Sequence, residues 1–213
     1  MILPDRWMQH KIPSKNRRVL SKEEIDAVSH YKDLKNSQHV WDYHPEPGEK
    51  ESTTGMDCFM INSFMRGLLK QPVSVHDETL LGELIGHIDT AVSSYSLTEN
   101  LLLFRGLGNP DWLEGFRIGQ TFTEHAFGSF TTSKRTAIKY AMKRRRGRLV
   151  FQTVLLEKGD CALYIDTDES EWLLPKNITY NVTEISMLEN PIHGRGGLFI
   201  TSQGQMNKYV FHT

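Results

Sequence analysis

The hydrophobic pattern of this chain of 213 residues changes near residue 100. Before that point, apolar residues recur every three or four positions, which is the spacing of one face of an α-helix. After it, apolar and β-branched residues stand in short runs bounded by turn-forming residues, which is typical of β-strands. The pattern predicts an α+β fold, in which a helical N-terminal part packs on a mostly β C-terminal part.

Three helices are predicted in the first half of the chain. Ser21-Lys22-Glu23-Glu24 has the capping-box pattern of a helix start. Apolar positions at helical spacing mark a second helix and, after Pro72, a longer third one: Met60, Ile61, Phe64, Met65 and Leu68, then Leu80, Leu81, Leu84, Ile85 and Ile88. Residues 42–55 contain two prolines and two glycines and are predicted to form a loop. We expect residues 1–95 to form a helical region and 96–213 the core, together one compact unit.

The strand predictions follow the apolar runs of the second half. They cover 101–104, 127–132, 149–156, 161–165, 170–174 and 178–188, followed by a final pair near Phe199 and Tyr209. A short helix is predicted at 134–142, after the second of these strands.

Charge and cysteine content narrow the classes of protein. Lys and Arg number 25 against 26 Asp and Glu, so the net charge of -1 gives no overall field that attracts nucleic acid or an anionic membrane. Cys58 and Cys161 lack the spacing of a metal site or a disulfide framework, which favours a reducing compartment. No secretion signal or long apolar run is recognised. We therefore expect a monomeric protein of the cytoplasm, without a membrane partner.

Two glutamates, Glu169 and Glu171, stand at the head of the apolar run that Pro175 ends. If 170–174 is a strand, both side chains point to one face, roughly 6.6 Å apart along it. Like charges placed so repel each other and raise each other's pKa. A site that stabilises a developing cation, however, does need fixed negative charge. The pair is a candidate catalytic site, and the alternative is a solvated acidic loop over 166–171.

Two further motifs precede these glutamates. They are Leu103-Phe104-Arg105-Gly106, at the end of an apolar run, and Phe130-Thr131-Thr132-Ser133, ahead of the predicted short helix. Taken alone, Arg105 is typical of an exposed arginine at a strand end, and Ser133 of a helix N-cap. Arginine, hydroxyl triplet and Glu-x-Glu, in that order, together resemble the arginine-modifying class of mono-ADP-ribosyltransferases.

The resemblance covers residues 101–175 most clearly. It is greatest to the small ADP-ribosyltransferases with which tailed bacteriophages modify host proteins, and bacterial actin-modifying toxins share the same frame. The usual Ser-Thr-Ser of that class is Thr131-Thr132-Ser133 here, which keeps the hydroxyl groups. The resemblance implies a two-sheet, sandwich-like NAD-binding core.

The resemblance also implies the co-substrate and the roles of three residues. NAD⁺ would be bound without a metal ion, with Arg105 on its diphosphate and Gly106 close to its nicotinamide amide. Glu171 would bond the ribose 2′-hydroxyl and stabilise the oxocarbenium-like cation that forms as nicotinamide leaves, an electronic demand shared with glycoside hydrolysis.

The remaining implied roles concern the acceptor and the support of the site. Glu169 would face the acceptor, an exposed arginine of a target protein. Thr131 would hold Glu171 by a hydrogen bond and so contribute to NAD⁺ binding. Thr132 and Ser133 would brace the adjoining strands.

Three alternative functions stay open at this point. An NAD⁺ glycohydrolase would use the same site with water as acceptor, and a binding module would keep the fold without catalysis. Modification of nucleic acid would use the basic run at residues 143–148, which otherwise reads as a solvated helix end. Glu124-His125 is a further acid and base, which nothing in the sequence places near the other motifs.

Overall fold

The computed structural model describes residues 19–32, 57–69, 73–107, 115–143, 148–166, 169–188, 192 and 195–205. The predicted loop at 42–55, the basic residues 144–147 and Tyr209 lie outside these residues. Four α-helices occur within the described ranges: α1 (Lys22–Lys32), α2 (Cys58–Met65), α3 (Val75–Ser93) and α4 (Lys134–Ala141). The three helices expected in the first half and the short one near 134 are therefore confirmed.

The described strands form one curled eight-stranded sheet. They are β1 (Leu101–Leu107), β2 (Thr121–Glu124), β3 (Gly128–Thr131), β4 (Leu149–Leu156), β5 (Leu163–Asp166), β6 (Glu171–Leu174), β7 (Ile178–Met187) and β8 (Gly197–Gln205). Their order is β2-β7-β8-β4-β1-β3-β6-β5. The two-sheet core implied by the resemblance corresponds to two parts of this sheet, of five and three strands, which β1 and β3 join through one registered pair, Phe104 with Thr131.

Strand β2 was not predicted from the sequence. It is only four residues long, lies at one edge of the sheet and pairs with β7 from Thr121–Asn181 to Glu124–Ile178. Its sequence, Thr-Phe-Thr-Glu, contains a single large apolar side chain, so no apolar run marks it. Its formation depends on the partner strand β7 rather than on local pattern.

The N-terminal helices pack against the sheet through a shared apolar core. Its buried members come from α1, α2 and α3 and from the segments around β3, β5 and β6; they include Tyr31, Ile61, Leu81, Ile88, Phe127, Leu163 and Leu173. The expected α+β fold, with helices packed on a β core, is thereby confirmed. The division of the chain at residue 95 stays a prediction.

Two local motifs set the ends of the helices that border the site. At the start of α1, Ser21 N donates to Glu24 Oε2 over 2.8 Å and Glu24 N to Ser21 Oγ over 3.3 Å, so the predicted capping box is confirmed. At the start of α4, Ser133 Oγ accepts from Thr136 N over 3.2 Å, which confirms the N-cap interpretation.

Helix α4 lies directly against strand β1 at Gly106. A Cβ atom at this position would lie 1.8 Å from the carbonyl oxygen of Ala137 and 2.6 Å from the backbone nitrogen of Ala141. Only glycine permits so close an approach of helix backbone to strand backbone. The absence of a side chain at Gly106 therefore fixes the position of α4. No helix among the described residues is long and apolar enough to cross a membrane.

Candidate active site

Glu171, the first residue of β6, is a buried carboxylate with a charged partner. Its backbone pairs with Thr131 of β3, and its side chain forms an ion pair with Lys32 at the C-terminal end of α1. Burial raises the pKa of Glu171, while the charge of Lys32 and hydrogen bonds from Lys32 and Ser129 act in the opposite direction. A carboxylate held in this way is a fixed negative charge in a largely dry environment.

Glu169 has a different environment because strand β6 begins one residue later than predicted. Ser170 has a φ of +49°, which lies in the left-handed region. The alternation of side chains along the strand therefore does not extend to Glu169. The Glu169 carboxylate accepts hydrogen bonds from the Tyr140 hydroxyl at 2.9 Å to Oε1 and 2.8 Å to Oε2. Lys139 Nζ lies 3.8 Å from Oε1. The strand geometry from which the same-face arrangement was expected therefore does not include Glu169, although Glu169 still raises the pKa of Glu171 by its charge.

The hydroxyl triplet supports the backbone before β6. Thr131 Oγ1 donates to the carbonyl oxygen of Glu169 over 2.6 Å and accepts from Ser133 N over 2.9 Å. Its observed partner is thus the main chain of Glu169 and not the predicted carboxylate of Glu171. Thr132 N donates to the carbonyl oxygen of Ser170 over 3.3 Å, which joins the end of β3 to the same turn.

A second cluster of charges surrounds Glu124, at the end of β2. Arg66 Nε and Nη2 donate to its two carboxylate oxygens at 2.9 and 2.8 Å, and Arg105 Nη1 lies 3.4 Å from Oε2. Ala126 N donates to Oε1 over 3.1 Å. Burial raises the pKa of Glu124, but the two guanidinium groups together outweigh it and hold that pKa below its usual range.

This cluster contains residues that the sequence did not bring together. The sequence predicts Arg105 as a site residue, gives no position for Glu124 relative to the other motifs, and does not single out Arg66. Arg66 follows a different helix, and no spacing rule connects it with Glu124, so the sequence carries no signal for the pair. His125 points elsewhere, with Nδ1 at 3.3 Å from Asn177 Oδ1.

Helix α2 connects the surroundings of Glu171 with the charge cluster around Glu124. Asn62 Nδ2 donates to the Tyr31 hydroxyl over 3.0 Å, and the Tyr31 and Ser129 hydroxyls are 3.2 Å apart on the Glu171 side. Arg66 follows Asn62 by four residues, about 6 Å along a helix at 1.5 Å per residue. The buried carboxylate and the pair of arginines are therefore neighbouring parts of one polar region, bordered by α1, α2 and the sheet.

The charges of this region suit an anionic ligand next to a site of developing positive charge. Two guanidinium groups share one carboxylate, which leaves a net positive charge for a phosphate or diphosphate. Gly106 is adjacent to α4 in the structure, and its expected closeness to a nicotinamide group stays a prediction. Among the described residues, no group of three or more His, Cys, Asp or Glu side chains is arranged to hold a metal ion.

Comparisons with known proteins were made for the sequence and for the fold. No protein-family model matches the chain. The NAD(+)–arginine ADP-ribosyltransferase EFV of Enterococcus faecalis is 25% identical over 173 residues, covering 73% of this chain and 34% of that protein. The chain thus spans about a third of the length of this relative.

Several solved structures share the fold at low sequence identity. The C3larvin toxin, an ADP-ribosyltransferase from Paenibacillus larvae, aligns with a TM-score of 0.56 and 18% identity over 90% of this chain and 98% of its own. The ADP-ribosyltransferase Vis, in complex with agmatine, aligns with a TM-score of 0.57 and 15% identity, over 96% of this chain and 82% of its own. The enzymatic component C2-I of the Clostridium botulinum C2 toxin aligns with a TM-score of 0.58 and 18% identity, over 87% of this chain and 44% of its own. The chain therefore has the fold of the ADP-ribosyltransferase toxins.

Proposed function

We propose that this chain is an NAD⁺-dependent mono-ADP-ribosyltransferase that transfers ADP-ribose to arginine side chains of a target protein. The observation that carries the proposal is the unequal exposure of two neighbouring carboxylates. The Glu171 side chain is 12% exposed and the Glu169 side chain 25% exposed. Glu171 would act within a dry site, and Glu169 at its edge, where a second substrate would arrive.

The reaction would proceed at the anomeric carbon of the nicotinamide ribose. The bond from this carbon to the nicotinamide nitrogen breaks and its electron pair leaves with nicotinamide, so positive charge develops on the ribose ring. The Glu171 carboxylate would accept a hydrogen bond from the ribose 2′-hydroxyl and stabilise that charge. A guanidinium nitrogen of the acceptor then bonds to the same carbon and loses a proton, for which Glu169 is the nearest proposed base.

Arg105 and Arg66 would hold the diphosphate of NAD⁺. Both guanidinium groups are fixed in place by Glu124, so little side-chain freedom is lost when the ligand binds. The hydroxyl triplet would contribute indirectly. It would hold the turn that carries Glu169 and the start of α4, through Thr131, Thr132 and Ser133. Gly106 would lie close to the nicotinamide amide, and because it has no side chain it also allows α4 to lie where its side chains reach that turn.

Two comparisons support arginine as the acceptor. The relative from Enterococcus faecalis is named an NAD(+)–arginine ADP-ribosyltransferase, and Vis was solved with agmatine, a compound that carries the guanidinium group of arginine. The resemblance to phage enzymes that modify host proteins adds a target in the bacterial cytoplasm to the proposal. Which protein is modified stays open.

An NAD⁺ glycohydrolase is the second candidate, favoured by one observation. Lys139 Nζ lies 3.8 Å from the Glu169 carboxylate and competes with a cationic acceptor for it. Water, which carries no charge, would meet no such competition.

The test is incubation of the purified chain with labelled NAD⁺ and a bacterial lysate, beside its Glu171→Ala variant. Label on discrete protein bands, absent with the variant, supports the transferase and yields its targets for mass spectrometry. Free ADP-ribose without protein labelling favours the glycohydrolase. The absence of both labelled protein and free ADP-ribose would contradict both enzymatic candidates.

A further inference from the structure

Tyr140 on helix α4 holds the carboxylate of Glu169 through both oxygens. Its hydroxyl lies 2.9 Å from Oε1 and 2.8 Å from Oε2, so one donor is shared between the two. Lys143 Nζ lies 4.0 Å from the centre of the tyrosine ring, a cation–π contact that stabilises the ring. Neither contact belongs to the hydrophobic packing of α4, which its buried Ala137 and Ala141 provide.

Glu169 requires this support because it does not belong to a strand. The left-handed Ser170 separates it from β6, so the regular strand geometry does not define where its side chain points. Thr131 fixes the backbone of Glu169 through its carbonyl oxygen, from strand β3. The carboxylate itself is contacted from α4, by Tyr140 and Lys139.

The hydrogen bond from Tyr140 is compatible with an acceptor guanidinium at the same carboxylate. Burial raises the pKa of Tyr140, and the neighbouring Glu169 raises it further, so the phenol stays protonated and remains a donor. An ionised carboxylate has about four lone-pair positions. A donor shared between Oε1 and Oε2 takes up part of this capacity, and a two-pronged guanidinium contact uses one position on each oxygen.

We propose that Tyr140 is a positioning residue for the acceptor step: it aims Glu169 at the incoming arginine and has no part in cleavage of NAD⁺. This inference rests on the proposed transferase function. In the step concerned, a guanidinium nitrogen forms its bond to the ribose carbon and releases a proton toward Glu169. Loss of the tyrosine hydroxyl lets the carboxylate turn away, so the reaction partitions toward water.

The experiment measures both products of the same reaction. Purified chain is incubated with NAD⁺ and agmatine, and ADP-ribosyl-agmatine and free ADP-ribose are quantified separately for the wild type, Tyr140→Phe, Glu169→Gln and the double variant. Arg135→Ala, an exposed residue of the same helix, is the control for disturbance of α4. Phe keeps the ring under Lys143, and nicotinamide release without agmatine shows that each variant is folded.

Tyr140→Phe is expected to lower agmatine transfer about tenfold, as for loss of one hydrogen bond to a charged group. Nicotinamide release without agmatine should stay at no less than about half of the wild-type rate, and Arg135→Ala should match the wild type in both products. In the Glu169→Gln background, Tyr140→Phe should change transfer less than about twofold, because the residue it positions is already altered.

Equal loss of transfer and hydrolysis in Tyr140→Phe would overturn the inference, since it would indicate a structural role. Unchanged transfer would overturn it as well. Absence of ADP-ribosyl-agmatine with the wild type would instead refute the transferase function and, with it, this inference. If the wild type transfers ADP-ribose to agmatine and Tyr140→Phe does so equally well, the role of Tyr140 is refuted and the transferase function is not.

Discussion

The ammonium group of Lys32, in the last turn of helix α1, forms an ion pair with the carboxylate of Glu171 at the start of strand β6. Helix α1 therefore contacts the residue on which the proposed chemistry depends, and it forms part of the proposed site. A buried carboxylate next to a half-buried cation is also sensitive to removal of its partner, because the remaining charge is left without compensation.

Replacement of Lys32 should change the pH dependence of NAD⁺ cleavage. Burial raises the pKa of Glu171 and Lys32 opposes that rise, so Lys32→Met should raise the pKa further. Glu171 has to be ionised to stabilise the developing cation, so the acid limb of the rate profile should move to higher pH. Nicotinamide release is measured across pH, with Lys22→Met, an exposed lysine at the other end of α1, as control. An unmoved acid limb, or one displaced to lower pH, would contradict the role given to Lys32.

The paired arginines should determine the affinity for NAD⁺. Arg66→Ala and Arg105→Ala each remove one guanidinium group from the proposed diphosphate site, so KM for NAD⁺ should rise about tenfold or more with a smaller change in kcat. Steady-state nicotinamide release gives both constants. Arg117→Ala, an exposed arginine outside the cluster, should leave them unchanged. If kcat falls while KM stays constant, the two arginines act on the transition state and the diphosphate assignment is wrong.

Glu124 should contribute stability that depends on pH. Its folded pKa lies below the usual range because of Arg66 and Arg105, so this stabilisation is present above the unfolded-state pKa, about 4.3, and is lost as pH falls through the lower folded value. Glu124→Gln should lower the free energy of unfolding by about 2 kcal/mol at neutral pH. The difference between variant and wild type should shrink on acidification below about pH 4.

Urea unfolding at several pH values measures this difference, with the exposed Glu99→Gln as a matched control. A difference that stays constant, or grows, as the pH falls would show that Glu124 is not held ionised by its arginines.

The contact of α4 with β1 should not tolerate a side chain at Gly106. An added Cβ would lie 1.8 Å from the Ala137 carbonyl oxygen, so Gly106→Ala should lower the free energy of unfolding by about 3 kcal/mol or displace α4. Gly82→Ala is the control: it lies in helix α3, where an added Cβ meets nothing within 4 Å, and should be neutral or stabilising by up to about 1 kcal/mol. Urea unfolding compares the two. Equal stability of both variants would contradict the described packing.

The parts of this fold that depend on residues close together in the sequence were predictable from it. The capping box at Ser21, the N-cap at Ser133 and the buried strand β4 all follow from short patterns whose physical cause lies within a few residues. Strand β2 was missed because its four residues form a strand only by pairing with β7.

The site itself was predictable only as a set of residue types. Arg105, the hydroxyl triplet and the two glutamates were recognised. Lys32 and Tyr140, which contact the two glutamates, and Arg66, which shares Glu124 with Arg105, lie in other elements, and no spacing rule connects them. The orientation of Glu169 could not be predicted, because it depends on the left-handed conformation of Ser170, a residue that rarely adopts it.

The division of labour between the two glutamates is tested most directly by measuring nicotinamide release and transfer to agmatine in Glu171→Ala and Glu169→Ala. We expect Glu171→Ala to lose both activities by at least about a hundredfold, since a preorganised charge at the developing cation contributes on that order. Glu169→Ala should lose transfer to a similar extent while retaining part of its NAD⁺ hydrolysis. Equal loss of both activities in the two variants would contradict the proposal that one carboxylate serves the cation and the other the acceptor.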